Sequence, residues 1–257
     1  MTRNAHDSVR QIREILNQTR TWSLYALGDL APEELVHCEW RFSLNAGPAA
    51  TLFYRAFDPP IFFATGSAEA VEPLLDQAPL PSRLYLHIRP EILRLVNDRY
   101  HRVTTKEMVR MILQEPSLVD FAGVKRLDSS DLNDLVELYD SRQRHEKDGT
   151  FFLPEFLARG IYFGVRVNDR LVAAAGTHLV NPADSVAALG NVFCLPEYRG
   201  KGLGAAVSSA VVDALRERDI RTIGLNVGPD NPAAKLYRRL GFEEACSYVE
   251  GTAVNQI

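Results

Sequence analysis

Residues 192–204 read VFCLPEYRGKGLG and hold the densest group of chemistry-bearing residues in the chain. A β-prone run ends at Leu195. A turn then carries Arg199, Gly200, Lys201, Gly202 and Gly204, and an amphipathic helix begins. Glycines at 200, 202 and 204 remove side chains where the backbone enters that helix. The first amides of a helix have no internal partner and point outward beside the positive end of its dipole. A phosphate or pyrophosphate fits such a place, with Arg199 and Lys201 adding charge.

Two well-known phosphate loops do not explain the turn. Gly200, Gly202 and Ala205 satisfy G-x-G-x-x-A, the dinucleotide fingerprint, but no acidic residue ends the following strand, which reaches Asn226. Fewer than sixty residues follow Gly204, too few to complete a doubly wound sheet. No Lys-Ser or Lys-Thr follows the glycines, so the Walker pattern is absent.

The elements that must position this turn can be read around it. Leu203, Val207, Val211 and Leu215 lie four apart with Ala206, Ala210 and Ala214 alongside, which predicts a helix over 203–218 with one apolar stripe. Strands are expected at 121–127, 161–167, 171–179, 186–195 and 222–227. Asn168-Asp169 forms a hairpin turn between the second and third. Ser129 and Ser130 can cap a helix reaching about 141, and further helical pieces lie near 154–158 and 233–240, before a terminal strand. Upstream, apolar residues at 9, 12, 15 and 16 have helical spacing. Short β-prone runs at 39–44, 50–57, 61–64, 84–88 and 109–113 alternate with helical stretches at 68–77 and 90–99. Pro116 and Ser117 interrupt the pattern. The expected fold class is therefore α/β of the α+β kind: an N-terminal α+β domain over 1–118 and a mixed sheet flanked by helices over 119–257.

Composition narrows the partners. The 257 residues carry 29 Lys+Arg against 33 Asp+Glu, and the two parts of the chain share that balance, so no basic arm invites nucleic acid or an anionic membrane. Cys38, Cys194 and Cys246 stand far apart, which offers neither a metal site nor a disulfide framework. The opening residues lack a signal-like apolar stretch, and no run approaches the length needed to span a bilayer. A cytoplasmic protein with free thiols is expected. Nothing in the sequence indicates an oligomeric state.

A second motif lies about thirty residues after the glycine turn: NVGPDNPAAKLYRRLGF. In this order the two blocks resemble the GNAT superfamily of N-acetyltransferases, over about 121–249. The first is similar to its R/Q-x-x-G-x-G/A pyrophosphate loop, the second to its Asn-containing helix leading to Leu-Tyr and Gly-Phe. GNVFCLPEYRGKG with an upstream GTHLV is similar to the FR47-like acetyltransferases, which often carry an N-terminal partner region.

The resemblance implies acyl transfer from acetyl-CoA to an amine without a covalent enzyme intermediate, and no metal. It implies that the amides of Gly200, Lys201, Gly202, Leu203 and Gly204, with Arg199, hold the pyrophosphate. Backbone groups of Val192, Phe193 and Cys194 would position the thioester, Asn231 would contact the pantetheine arm, and Tyr237 would be the general acid. The family usually places Tyr seven residues after Asn; here the step is six, and Asp230 could share the capping role. Relatives carry a glutamate base at the places of Ala188 or Asn226, and neither is a carboxylate here. His178, Asn191, Asn226 and Glu146 are the candidates on the acceptor side, with Asn191, midway along a strand, also read as a buried amide that fixes strand geometry. Cys194 is read as a small buried thiol and not as a nucleophile, since no adjacent histidine activates it. The expected acceptor is a small-molecule amine, with a peptide or protein amine as the alternative, and a non-catalytic acyl-CoA-binding module as the rival of another class.

Overall fold

The structure is a computed structural model that describes residues 3–45, 47–117, 119–145 and 152–255, leaving aside the side chains of 3–6 and 142–145. The chain forms two compact units, one of Met1–Arg110 with Glu244–Ile257 and the other of Met111–Glu243. The expected division at 118/119 cuts the chain in order, whereas the compact units break after Arg110 and again after Glu243.

The first unit begins with helices α1 (Arg3–Gln18), α2 (Leu24–Gly28) and α3 (Pro32–Leu35). Strands β1 (Cys38–Ser43), β2 (Ala49–Tyr54) and β3 (Ile61–Thr65) form an antiparallel meander. Helix α4 (Ala68–Leu75) crosses over to β4 (Arg83–Ile88), which pairs parallel to β3. Short helix α5 (Leu93–Asn97) leads to β5 (Arg102–Leu113). Leu84, Leu86 and Ile88 of β4 pack with Val71, Leu74 and Leu75 of α4 and with Leu95 and Val96 of α5 in one buried core.

The second unit opens with β6 (Val124–Leu127), α6 (Leu132–His145) and α7 (Pro154–Arg159). Strands β7 (Tyr162–Val167), β8 (Arg170–Asn181) and β9 (Val186–Cys194) form a second antiparallel meander, with β6 antiparallel to β7 on its outer side. Asn168 and Asp169 both take positive φ, 49° and 61°, as a two-residue turn matched to strand twist requires. Helix α8 (Leu203–Arg216) crosses over to β10 (Thr222–Val227), parallel to β9; α9 (Ala233–Arg239) follows. The last strand, β11 (Phe242–Val254), pairs antiparallel to β4 through residues 249–254.

The second core follows from the sequence pattern. Leu203, Val207, Val211 and Leu215 of α8 are all buried, as their four-residue spacing predicts. Residues 171–177 of β8 are buried without interruption, the mark of a strand covered on both faces. One expectation needs correcting: the residue that starts the α6 segment is Asp128, not Ser129 or Ser130. Its carboxylate accepts from the Ser130 amide at 2.8 Å, while Asp131 bonds back to the Asp128 amide at 2.9 Å.

Candidate active site

The site begins where two parallel strands part. β9 and β10 are paired only from Val186–Ala188 against Thr222–Gly224, yet β9 continues to Cys194 and β10 to Val227. Beyond Ala188 the β10-facing edge of β9 therefore lacks its neighbour's backbone groups. Unpaired strand edges are ready to bond another extended chain.

The bend of β9 has a local cause. Against β8, one extra residue on β9 falls at Asn191–Val192, and one extra residue on β8 falls at His178, so the register slips and then recovers. Two opposed bulges thus sit side by side. Asn191 takes φ 51°, a left-handed conformation uncommon outside glycine but open to asparagine. It is 3% exposed. Its carbonyl accepts from the Tyr139 hydroxyl at 2.5 Å, its Nδ2 donates to the Tyr162 hydroxyl at 2.9 Å, and its Oδ1 lies 3.4 Å from His178 Nε2.

Glycines make room for these rings. A Cβ on Gly176 would stand 2.2 Å from the Tyr162 ring, and one on its cross-strand partner Gly190 would stand 2.3 Å from His178 Nε2. Burial pushes the Tyr162 phenol up, so it remains a protonated hydrogen-bonding group at neutral pH. Half-buried aromatic rings adjoin this cluster: Phe152 stacks on Tyr139 at 4.9 Å, and Phe156 lies 5.9 Å from the His178 ring.

Past Cys194 the chain makes the glycine turn. Gly200 and Gly202 have φ of 75° and 81°, and a Cβ on either would meet nothing within 4 Å. Backbone conformation, not crowding, selects glycine at both, and the space before the turn is open. Gly202 is the N-cap of α8, so no side chain bonds the first amides, and the first turn holds no acidic residue. Arg199 Nε donates to the Cys194 carbonyl at 3.1 Å, and its guanidinium lies over the Phe193 ring at 5.7 Å. Lys201 Nζ is held 5.0 Å over the Tyr198 ring. Both cations are exposed. Val192 is half-buried, while Phe193 and Leu203 are buried and supply apolar surface.

Helix α9 closes onto this turn: Leu236 Cδ1 lies 3.3 Å from where a Cβ on Gly204 would stand. The next residue, Tyr237, is 9% exposed and meets Phe242 edge-on at 6.1 Å. Asn231 Oδ1 accepts from the Ala233 amide at 2.9 Å, so Asn231 itself caps the approach to α9. Asn226 is half-buried on β10, two residues beyond the last pair with β9.

The structure thus brings His178 and Asn191 into contact and sets 199–204 at the end of β9, while Glu146 lies outside the described residues. Burial raises the Cys194 thiol, which suits an inert thiol. Tyr139 and Tyr162 escaped the sequence reading. The signal that could have found them is the pair of strand-interior glycines, Gly176 and Gly190, since such glycines mark bulges and close approaches.

An antiparallel meander, a crossover helix entered through an uncapped glycine turn, and a parallel strand pair that opens beside it make an α/β fold with a glycine turn at the mouth of a split strand pair. Residues 129–242 match the Acetyltransferase (GNAT) family, so this part of the chain is similar to that family. Over 143 residues the chain is 27% identical to an uncharacterized N-acetyltransferase of Methanocaldococcus jannaschii, covering 50% of this chain and 63% of that protein. Over 88 residues it is 36% identical to the ribosomal protein bS18-alanine N-acetyltransferase of Escherichia coli K12, covering 34% and 57%. The chain thus spans about 60% of the length of these curated relatives. A solved GNAT-family acetyltransferase from Novosphingobium aromaticivorans superposes with a TM-score of 0.61 at 22% identity, over 90% of this chain and 96% of that one, which shows the fold.

Proposed function

We propose that this chain transfers an acetyl group from acetyl-CoA directly to an amine, most simply that of a small molecule. The observation that carries the reading is the parting of β9 from β10 beside the uncapped start of α8. An extended pantetheine arm has the bonding pattern of the missing strand, and the pyrophosphate has that of the missing cap. The open space before Gly200 and Gly202 fits such a group. When bound, acetyl-CoA supplies an activated acetyl thioester.

The chain's own residues then have distinct tasks. Amides at 200–204 with Arg199 and Lys201 hold the diphosphate, and the edge of β9 at Val192, Phe193 and Cys194 orients the thioester. Asn231 sits beside the arm. As the amine nitrogen bonds the acetyl carbon, it loses a proton and the carbon–sulfur bond breaks. Tyr237 gives its phenolic proton to the departing sulfur. A phenol near about 10 protonates a thiolate near about 8.5 only when closely positioned, and a buried helix residue provides that. Ala188 and Asn226 supply no carboxylate, so His178, beside Asn191, receives the amine proton directly or through water.

The half-buried faces of Phe152 and Phe156 near His178 favour an amine carried on a small apolar body. The likeness to the bS18-alanine enzyme favours a second reading, a peptide N-terminus, although Asn226 lacks a carboxylate.

Calorimetric titration with acetyl-CoA, with NADH as control, tests the cofactor, and an amine and peptide panel follows. Saturable acetyl-CoA binding should weaken about tenfold in Arg199→Ala, the size of one lost charge-assisted bond. Tyr237→Phe should keep that affinity and lose turnover about a hundredfold. Absence of binding by the folded protein would sink the proposal. Binding with no turnover on any amine would leave the acyl-CoA-binding module.

A further inference from the structure

The bulge at Asn191 is held by residues from two other elements, and that arrangement has a use. Among the described residues, five besides glycine take positive φ: Asn168, Asp169, Ser185, Asn191 and Asp219. Four lie at turns or just outside strands. Asn191 alone lies within a strand, and it is buried. A buried left-handed residue persists only where its surroundings over-determine it. Here the surroundings are Tyr139 of α6, whose hydroxyl donates to the Asn191 carbonyl, and Tyr162 of β7, whose hydroxyl accepts from the Asn191 side chain.

The left-handed turn decides what the next residues present. Without it, β9 would keep register with β8, and each backbone group from Asn191 to Cys194 would face the opposite way along the strand edge. With it, the edge on which the thioester is proposed to lie is rotated by one residue. We infer that Tyr139 and Tyr162 are positioning residues for acetyl transfer, which lock the Asn191 bulge and so aim the amides of the β9 edge. The inference rests on the acetyltransferase reading. Neither tyrosine touches the reacting atoms; both act through Asn191. The Tyr162 hydroxyl also lies 3.4 Å from the Thr177 carbonyl, which fixes the direction of its own proton.

Phenylalanine keeps both rings and removes only the hydroxyls, so Tyr139→Phe and Tyr162→Phe test the lock with packing retained. Each should lower kcat about tenfold or more while KM for acetyl-CoA shifts less than about threefold, the pattern of an interaction realised in the transition state. In the protein without acetyl-CoA, the amides of Asn191, Val192 and Phe193 should exchange about tenfold faster, with those of α8 unchanged. Glycine takes the left-handed conformation without help. Asn191→Gly added to Tyr162→Phe should therefore restore kcat to within about threefold of Asn191→Gly alone.

Unchanged kcat and unchanged exchange in both variants would overturn the inference. So would faster exchange across the whole unit, which marks a merely structural tyrosine. If the wild-type chain binds no acetyl-CoA, the functional reading fails, and exchange at the Asn191 bulge still decides whether the lock exists.

Discussion

The two units repeat one order of elements and finish it differently. In the first, β1, β2 and β3 form a meander, α4 crosses over, and β4 returns parallel to β3; in the second, β7, β8, β9, α8 and β10 do the same. Even the parallel pairs have equal length. β3 meets β4 over Ile61–Phe63, and β9 meets β10 over Val186–Ala188. At both places the pairing then stops.

What lies beyond separates them. In the first unit Trp22 occupies the end of the pair: its Nε1 donates to the Ala64 carbonyl at 3.0 Å, and its ring stacks on Phe63 at 5.2 Å. Arg110, with no exposed surface, places its guanidinium 4.8 Å from the Tyr25 ring and 5.1 Å from Trp22, and bonds His87 Nε2 at 2.6 Å. The helix is equally complete. Ser67 caps α4 by accepting from the Ala70 amide at 3.3 Å, and Glu69 sets a negative charge in the first turn. An anion has nothing to bind there. In the second unit the cap is Gly202, no carboxylate is in the first turn, and the edge of β9 is left open. The lesson is that the fold alone provides a place for a ligand. Binding depends on which polar groups the sequence leaves unsatisfied.

The sharpest way to break the comparison is to empty the filled end. Trp22→Ala removes a ring that is 2% exposed and should cost about 3–5 kcal/mol in chemical denaturation, as large buried aromatics do. The variant should still bind a single acetyl-CoA per chain, because Ser67 and Glu69 continue to satisfy α4. Appearance of a second bound acetyl-CoA would mean that the tryptophan alone distinguishes the units.

The reciprocal change fills the open end. Gly202→Ser forces a side chain onto a φ of 81° and sets a hydroxyl beside amides proposed for the diphosphate. Relief of about 1–2 kcal/mol of left-handed strain when the free turn relaxes, strain that must be restored on binding, predicts acetyl-CoA affinity weakened about tenfold by calorimetry. Ser67→Ala, the matched change in the first unit, should cost about 1 kcal/mol of stability and leave affinity unaltered. Equal loss of affinity in both variants would defeat the assignment of the site to the second unit.

How much of this could be read in advance depends on how local the cause is. The glycine turn, the α8 stripe and the Asn168-Asp169 hairpin are each written in consecutive residues, so their places were legible. The helix start at Asp128 was misplaced by one or two residues because the choice among three neighbouring polar side chains is made by geometry. Asn191 was legible as a buried amide that fixes strand geometry, but its bulge was not: the partners Tyr139 and Tyr162 lie 52 and 29 residues away in sequence. Nor was the repeat, since Ser67 and Glu69 in one unit and Gly202 in the other satisfy the same helix position by different chemistry. Likewise Trp22 lies 42 residues from the carbonyl it bonds.

The smallest expected effect concerns pH and the filled end again. Burial, and then the charge of Arg110, hold the His87 imidazole well below its ordinary range, and its ring stacks on Tyr248 at 4.5 Å. An unfolded histidine titrates near about 6.5. As pH falls through that value the unfolded chain gains a proton that folded His87 refuses, so the unfolded state binds more protons and stability drops. The stability that neutral His87 contributes is present above about pH 6.5 and is lost as pH falls toward its depressed folded value. One pH unit below that point the loss should be about 1 kcal/mol. His87→Gln keeps a polar group beside Arg110 but cannot titrate. Denaturation of both proteins at pH 7.5 and 5.5, values spanning the ordinary imidazole range of about 6.5, should show the wild type losing about 1 kcal/mol more than the variant. Equal losses would mean that His87 is protonated in the folded chain, and the end of the β3–β4 pair would then carry two adjacent cations in place of a neutral filling.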